Sequence, residues 1–530
     1  MDSKVQRATC KAVRFARRIL TLTLTLAPAI AFSQIATLPS RGTEQALRSL
    51  KTPKNLEPSD SIVTKDYKVD PANLSSQARS RLQTDQHGQA SLPFVVSNTM
   101  LIQFDRNAGK AGIEKFIRER DLTVIEAFPS IGAVKVRTDL SKYFMPVVTD
   151  KDQNQTLLRG MNAAIMDFTR DPIVRSASPD LVLNKQSELS SVSNLLKPSE
   201  INQVPVAGSA AEVDWGIANI EADKVWAMQG AQDGVVIGVL DVGFGRHKDL
   251  VFIDLPNLTP IDDHGTHVAG IACARGAGVR GVLPSCFIRA RTGDFFFKSA
   301  EGGDVTKFVS LFSQILSTLD RFVSEYDDLR VINVSMGYNW KPNFNINPDD
   351  PESSLWRVLV EQQGLMLITA LERADKSNKV IYSAAGNDSD GLPNPIRAKY
   401  ASALNWAAIT AREKKIATNG VVVEAHTVSN KRARFSNVGG DISCPGVDVL
   451  STVAHDAGGE PSQVMYGKMS GTSMASPYCA AAHALFSLVR PGYSGREIVQ
   501  CLKSSSHKTD NKTPVLKLTD ALKKCPERSS

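Results

Sequence analysis

The sequence is short of the features that mark a membrane protein or a disordered chain. It holds 530 residues, of which 42% are hydrophobic, 22% charged and only 6% aromatic. This balance excludes a largely disordered chain and one that crosses a membrane many times. At roughly 100 to 200 residues per domain, the length predicts two or more globular domains.

A large surplus of positive charge is missing from most of the chain. The net charge is +7, but residues 1–33 carry six basic residues against one acidic residue, which is 6 − 1 = +5. The other residues share only 7 − 5 = +2. Because the body of the protein is nearly neutral, we expect no nucleic-acid partner.

Zinc-binding motifs are absent as well. The sequence has no CxxC pair and no Cys/His cluster. His264 and His267 are three residues apart, and Gly265 follows the first. The helix of a zinc protease needs two histidines four apart, with Glu after the first. We therefore expect no metal ion among the reacting groups and no cofactor.

The basic N-terminus is followed by the apolar stretch ILTLTLTLAPAIA at 19–31. This stretch is too short for a folded membrane anchor, but it suits the hydrophobic region of a secretory signal peptide. Small residues predict cleavage between Ala31 and Gln34, so we interpret 1–33 as a signal peptide; a buried helix of the mature fold is the alternative. Export would place the protein in a periplasm or outside the cell, with no membrane contact after the signal is removed.

Export would also give the cysteines an oxidising environment. Cys10 leaves with the signal peptide, and the six cysteines that remain permit 15 pairings. Proximity in sequence favours two of the bonds and leaves a third. The predicted pairs are Cys273–Cys286, Cys501–Cys525 and Cys444–Cys479.

Three segments separate the signal from a large C-terminal domain. Residues 34–98 are rich in Ser, Pro, Gln and charge, which predicts a flexible leader with order beginning near Thr99. Residues 99–184 read strand, helix, strand, strand, helix, strand, an order typical of a small α+β split-βαβ (ferredoxin-like) domain. Residues 185–212 are polar and serine-rich and are interpreted as a linker.

Continuous apolar runs predict the strands of the domain at 213–530. Such runs lie at 234–241, 330–336 and 379–386. Runs without alternation fit strands that are buried on both faces of a parallel sheet. Helical patterns separate them, at 305–326 and 353–375. Strand and helix in alternation predict a doubly wound α/β domain, whose ligands bind at the carboxyl ends of the strands.

Four polar residues stand where this fold presents reactive groups. Asp241 and Asn387 follow buried strands, and His264 and Ser473 lie at the starts of predicted helices. Taken singly, the first two are ordinary turn residues, and Ser473 belongs to an ordinary helix start. Together they supply a nucleophile, a base, a carboxylate that orients the base and a donor for an oxyanion. His267, one turn further on, is expected to be packed or hydrogen-bonded.

The segments that contain these residues resemble the signature segments of the subtilisin-like serine peptidases: VIGVLDVGF, HGTHVAGIA, VINVSMG, SAAGN and GTSMASP. The chain order Asp, His, Ser is also the order of subtilisin. The resemblance implies that Asp241 orients, that His264 is the general base and then acid, and that Ser473 is the nucleophile. It further implies that Asn387 and the backbone amide of Ser473 hold the oxyanion.

The same resemblance implies two substrate-binding segments. They are Ser335, Met336 and Gly337, as an edge strand that pairs with the substrate backbone, and Ala384, Ala385 and Gly386, as one wall of the primary side-chain pocket. Thr472 and Ser476 are expected to be structural. The family's calcium loops cannot be carried over, because the 264 − 241 = 23 positions between Asp and His are few for the family; structural calcium stays open.

The resemblance also gives the small domain a role. Family members made as zymogens carry such a propeptide, which assists folding and then blocks the cleft with its C-terminal tail. We therefore predict that 99–184 is an intramolecular inhibitor and that the chain cuts itself within 185–212. The product would be a monomeric, secreted serine endopeptidase that acts on proteins or peptides. A maturase or peptide cyclase with the same residues, and a catalytically silent binding protein, are the alternatives.

Overall fold

The computed structural model describes residues 38–52, 95–143, 150–185, 214–255, 262–276, 279–292, 294–298, 306–341, 346–453 and 465–528. The predicted signal peptide, most of the leader and nearly all of the predicted cleavage segment lie outside these ranges. No helix within them is both long and apolar enough to span a bilayer.

The N-terminal part of the described chain is a small domain, residues 95–185, preceded by one helix. Its elements are α1 (Arg41–Arg48), β1 (Val95–Phe104), α2 (Lys110–Glu119), β2 (Thr123–Phe128), β3 (Ala133–Arg137), α3 (Asp150–Thr169) and β4 (Val174–Lys185). The predicted order of strands and helices is observed, and the sheet order β2–β3–β1–β4 is that of a split-βαβ fold. Helices α2 and α3 share one core with the sheet, which includes Ile102, Phe116 and Phe168.

Helix α1 corrects the prediction that 34–98 is a flexible leader. Ser40 caps the helix by accepting a hydrogen bond from the Thr43 amide. Ala46 and Leu47 are buried in the small-domain core, and Thr43 Oγ1 donates to two carbonyls of that domain at 2.7 and 3.0 Å. With so few apolar residues to bury, the segment carries no periodicity from which the helix could be predicted.

The large domain, residues 214–528, is the predicted doubly wound α/β fold. Its helices are α4 (Trp215–Ile220), α5 (Asp263–Cys273), α6 (Phe312–Ser324), α7 (Ser354–Lys376), α8 (Ala403–Glu413), α9 (Thr472–Val489), α10 (Gly495–Leu502) and α11 (Leu518–Lys524). Its strands are β5 (Val236–Asp241), β6 (Phe252–Asp254), β7 (Phe287–Thr292), β8 (Asp294–Lys298), β9 (Thr306–Leu311), β10 (Leu329–Val334), β11 (Met336–Gly337), β12 (Val380–Ala384), β13 (Gly420–His426), β14 (Ile442–Pro445), β15 (Val449–Val453) and β16 (Met465–Met469).

Seven of these strands form a parallel sheet in the order β14–β13–β12–β10–β5–β7–β6. The three predicted apolar runs are its central strands β5, β10 and β12, which are almost wholly buried. Val334 of β10 pairs with Leu240 of β5 on one side and with Ser383 of β12 on the other. This register brings the carboxyl ends of the three strands to one level, as a ligand site at a parallel-sheet edge requires.

The predicted helix at 305–326 is wrong in its first part. Residues 306–311 form β9, and helix α6 begins only at Phe312. Strand β9 pairs with β8 on one side and with β4 of the small domain on the other. A long-range strand partner has overridden the local helical pattern, which a single sequence cannot show.

Strand β4 joins the two domains into one sheet. On one side it pairs with β1 of the small domain, and its last residues lie between β9 and β11 of the large domain. Asn184 is opposite Gly337, and Lys185 is opposite Met336. The C-terminal end of the small domain therefore occupies the edge strand that was predicted to pair with substrate.

All three predicted disulfides are confirmed: Cys273–Cys286, Cys444–Cys479 and Cys501–Cys525. The second of them joins Cys444 of β14 to Cys479 of helix α9, which lies seven positions after the first residue of that helix. It therefore fixes the helix that carries Ser473 to the edge of the parallel sheet.

Candidate active site

Asp241 is the last residue of the central strand β5 and is fully buried. Its Oδ1 atom accepts a hydrogen bond from the amide of Val242 at 2.8 Å and lies 2.6 Å from Nδ1 of His264. A carboxylate can only accept, so Nδ1 carries a proton and donates it to this bond. Nε2 is then the ring nitrogen left to accept a proton.

His264 lies in the first turn of helix α5. The side chain of Asp262 caps this helix and accepts a hydrogen bond from the His264 amide at 2.7 Å. Gly265, the next residue, lies so close to the loop after β5 that an added Cβ would be 1.9 Å from the carbonyl oxygen of Gly243. This close approach lets the helix carry His264 up to Asp241.

Ser473 is the second residue of helix α9. Its carbonyl oxygen accepts a hydrogen bond from Ser335 Oγ at 3.2 Å, and the Ser335 amide in turn donates to the carbonyl of Leu240 at 3.5 Å. Leu240 directly precedes Asp241. A short chain of contacts therefore connects the start of α9 to the end of β5, and the predicted nucleophile lies at the same sheet edge as Asp241 and His264.

Ser476 and Asn333 connect the start of α9 to β10. Ser476 was expected to be structural, and Asn333 was not identified from the sequence. Ser476 Oγ donates to Asn333 Oδ1 at 2.7 Å, and Asn333 Nδ2 donates to Ser335 Oγ at 3.0 Å. Asn333 stands inside an apolar strand, VINVSMG, and a polar residue in such a run is the signal that could have identified it. The pair ties helix α9 to strand β10.

Asn387 follows β12 and is oriented by Thr472. Its Oδ1 atom accepts from the amide and from Oγ1 of Thr472, both at 2.9 Å. The amide nitrogen Nδ2 lies on the side of Gly471, where an added Cβ would be 3.3 Å away. Because Oδ1 is held by Thr472, the donor end of the amide is directed to the start of α9. Thr472 is thus more than a helix start.

The two predicted substrate-binding segments border this region. Ser335, directly after β10, and Met336 and Gly337 of β11 are buried, and β4 pairs with the last two. Ala384, Ala385 and Gly386 run from the end of β12 towards Asn387. Gly386 has a φ of +99°, and an added Cβ would lie 2.5 Å from Asn437 Nδ2. Only glycine fits this bend, which sets the position of Asn387.

His267 is packed, as predicted, and takes no part in the arrangement of Asp241 and His264. Its Nε2 atom lies 3.0 Å from the carbonyl oxygens of both Val449 and Gly467. Burial lowers its pKa to about 3, so the ring is neutral. Among the described residues, no group of three or more His, Cys, Asp or Glu side chains could hold a metal ion.

A carboxylate and an imidazole in contact at the end of a parallel sheet, with a serine at a helix start at the same sheet edge, are the arrangement expected of serine hydrolases on a doubly wound α/β fold. Comparison with known proteins narrows this class. The subtilase family model matches residues 232–519, more than half of the chain, and the chain belongs to this family. It is a subtilisin-like serine peptidase, an endopeptidase.

Individual relatives agree with this assignment. Subtilisin DY of Bacillus licheniformis is 31% identical over 313 residues, which cover 56% of this chain and 92% of the relative. Subtilisin BL of Lederbergia lenta is 28% identical over 308 residues, with 56% and 92% covered. Both alignments leave much of the present chain unmatched.

A solved structure supports the fold. Fervidolysin from Fervidobacterium pennivorans, a keratinolytic enzyme related to subtilisin, superposes with a TM-score of 0.51 at 16% identity. The match covers 82% of this chain and 62% of fervidolysin, so the chain spans less than two thirds of that relative. Similarity at this level of identity concerns the fold alone.

Proposed function

We propose that this endopeptidase is exported, uses Ser473 as its nucleophile, and is made as a zymogen that processes itself. The contact between Asp241 and His264 at the end of β5, 2.6 Å between Oδ1 and Nδ1, is the observation that carries the catalytic roles. The occupation of β11 by the end of β4 is the observation that supports the zymogen. The substrates are proteins or peptides.

In the proposed reaction, Ser473 Oγ attacks the carbonyl carbon of the substrate and its proton passes to Nε2 of His264. Asp241 holds the imidazole in the required tautomer and stabilises the imidazolium that forms. The negative charge that develops on the carbonyl oxygen is met by Asn387 Nδ2 and by the Ser473 amide, with support from the N-terminal end of the α9 dipole.

Collapse of the tetrahedral species breaks the C–N bond, and His264 gives its proton to the leaving amine. Water then attacks the acyl-enzyme by the same route and releases Ser473. All of the proton transfers use the chain's own side chains, so the proposed chemistry calls for no cofactor. An edge strand such as β11 would form hydrogen bonds with the substrate backbone and not with its side chains. We therefore expect the enzyme to accept many substrate sequences.

The small domain is the proposed inhibitor. An antiparallel partner between β9 and β11 satisfies the same backbone groups that an extended substrate would use. A substrate therefore cannot pair with β11 until β4 leaves. We propose that cleavage after β4, within 185–212, frees the C-terminal part of the chain, and that 1–33 directs export.

The test is covalent labelling with a fluorophosphonate, followed by mass mapping of the modified residue. Label on Ser473 is expected in the parent chain, together with loss of the N-terminal region by self-cleavage. Ser473→Ala should remove the label and leave an uncut chain. Ser487→Ala, a change of the same kind near the other end of helix α9, is the matched control and should leave both unchanged.

Label on another residue, or an Ser473→Ala chain that still cuts itself at low concentration, would refute the proposed nucleophile. A labelled and fully active chain that is never cut would refute the zymogen alone.

A further inference from the structure

The turn between β2 and β3 of the small domain is buried against helix α6 of the large domain. Ser130 donates to Oδ1 of Asp320 twice, from its amide at 3.0 Å and from Oγ at 2.5 Å, and the Ile131 amide adds a third bond at 3.2 Å. Ser130 is 2% exposed and Asp320 is 6% exposed. These three hydrogen bonds replace those that the Asp320 carboxyl group would form with water if it were exposed.

The same turn is held from the other side by helix α7. Arg373 Nη2 donates to the carbonyl oxygen of Ser130 at 3.4 Å and forms an ion pair with Glu44 of helix α1. The side chains of Arg373 and Glu44 are each only 23% exposed. One guanidinium group thus contacts both the small domain and the helix that precedes it.

Helix α1 packs against the small domain as well as contacting Arg373. Ala46 and Leu47 are part of the small-domain core. Pro39 packs under the β2–β3 turn, where an added Cβ on Gly132 would be 3.3 Å from Pro39 Cβ. The segment is therefore part of the small-domain packing, and the Glu44–Arg373 ion pair is an additional attachment between the small and large domains.

We propose that helix α1, through the Glu44–Arg373 ion pair, is a clasp that holds the small domain on helices α6 and α7 and prolongs the blockage of the active site. This rests on the proposed function of the small domain as an inhibitor. Helix α1 precedes the βαββαβ domain in the chain. Its ion pair therefore adds a contact with the large domain that the βαββαβ domain alone would not make. Its partner is Arg373, in the last turn of helix α7.

The clasp is expected to be worth more than an exposed ion pair. Exposed pairs contribute little to stability, but removing one partner of a mostly buried pair leaves the other charge without compensation. Arg373 would keep its bond to Ser130 after Glu44 is neutralised, so the loss is partial. We expect release of the small domain to become about five- to tenfold faster.

The experiment uses the full-length chain with Glu44→Gln. In the Ser473→Ala background, which is designed to stay uncut, hydrogen exchange is followed over residues 354–376. In the active background, the delay before peptidase activity appears is measured. Glu44→Gln should raise exchange in the second half of α7 and shorten the delay about five- to tenfold.

Two variants make the result specific. Glu114→Gln breaks an exposed ion pair with Lys110 on helix α2, away from the large domain, and should change neither readout. Glu44→Asp keeps a carboxylate opposite Arg373 and should keep most of the parental delay. A retained delay would exclude a general folding defect as the cause of the Glu44→Gln effect.

Unchanged exchange and an unchanged delay in Glu44→Gln would overturn the clasp. The exchange readout does not need catalysis, so it tests the clasp even if the chain proves unable to cut itself. Failure of the proposed function and failure of the clasp are therefore distinguishable.

Discussion

Gly265→Ala should separate His264 from Asp241. An added Cβ would lie 1.9 Å from the carbonyl oxygen of Gly243 and 3.1 Å from Cβ of Asp241. Real Cβ atoms essentially never come closer than 3.0 Å to such an atom, so helix α5 or the loop must retreat by at least 3.0 − 1.9 = 1.1 Å. The obstacle is backbone and not a flexible side chain, so rotation cannot relieve it.

A shift of this size acts directly on Asp241 and His264, the proposed catalytic pair. If helix α5 moves away along the line of the Asp241–His264 contact, the distance between Oδ1 and Nδ1 grows from 2.6 Å to 2.6 + 1.1 = 3.7 Å. This distance is beyond hydrogen-bonding range. Misplacement of a reacting group by about 1 Å costs about 100-fold in rate. We expect kcat to fall by at least that factor and KM to change little, because the change does not touch β11, the strand proposed to pair with substrate.

The assay is steady-state hydrolysis of a fluorogenic peptide, with a thermal unfolding curve for each variant. Gly270→Ala, on the same helix, is the control for overpacking: its Cβ would meet the hydroxyls of Thr452 and Ser451 at 2.2 and 2.3 Å. It should lower stability by about 1–3 kcal/mol and keep kcat within a few-fold. A folded Gly265→Ala enzyme with the parental kcat would refute the reasoning.

Three further predictions concern the oxyanion, the disulfide beside α9 and acid stability. Asn387→Ala should lower kcat about 10²- to 10³-fold in a peptide assay, the loss measured in subtilisin for a missing oxyanion donor, and a smaller loss would contradict its role. Replacing Cys444 and Cys479 by Ala opens a loop of 35 residues and should cost about 4 kcal/mol in guanidinium unfolding. Burial lowers the pKa of three histidines to about 3: His267, His426 and His483. An unfolded histidine titrates near 6.5, so their contribution is present above that pH and is lost as the pH falls towards 3. A pH of 4.5 is 6.5 − 4.5 = 2 units below the pKa of an unfolded histidine, so each buried histidine lowers the free energy of unfolding by about 3 kcal/mol. The loss should appear as a lower Tm of the Ser473→Ala chain, and an unchanged Tm would contradict it.

The sequence predicted best where one physical requirement dominates. Strands β5, β10 and β12 are buried on both faces, so continuous apolar runs identified them, and Asp241 could be placed at a strand end. The disulfides followed from proximity along the chain because two of the three loops are short, with separations of 13 and 24 residues.

Prediction failed where a distant partner decides the conformation. Residues 306–311 have a helical pattern, yet they form β9 because β4 offers an edge to pair with. Helix α1 buries only two apolar residues in a core that is supplied by residues far along the chain. Asn333 was overlooked because its importance lies in the bonds to Ser335 and Ser476, which only the packing of α9 on β10 creates.

The distribution of the disulfides has a consequence for the proposed zymogen. All three disulfides lie beyond residue 270, and residues 34–212 contain no cysteine. The disulfides therefore stabilise the large domain alone, and the small domain is held by noncovalent contacts. In the proposed zymogen, a small domain released by cleavage would unfold more readily than the peptidase and become its substrate. Activation would then be irreversible, because no folded small domain would remain to bind again.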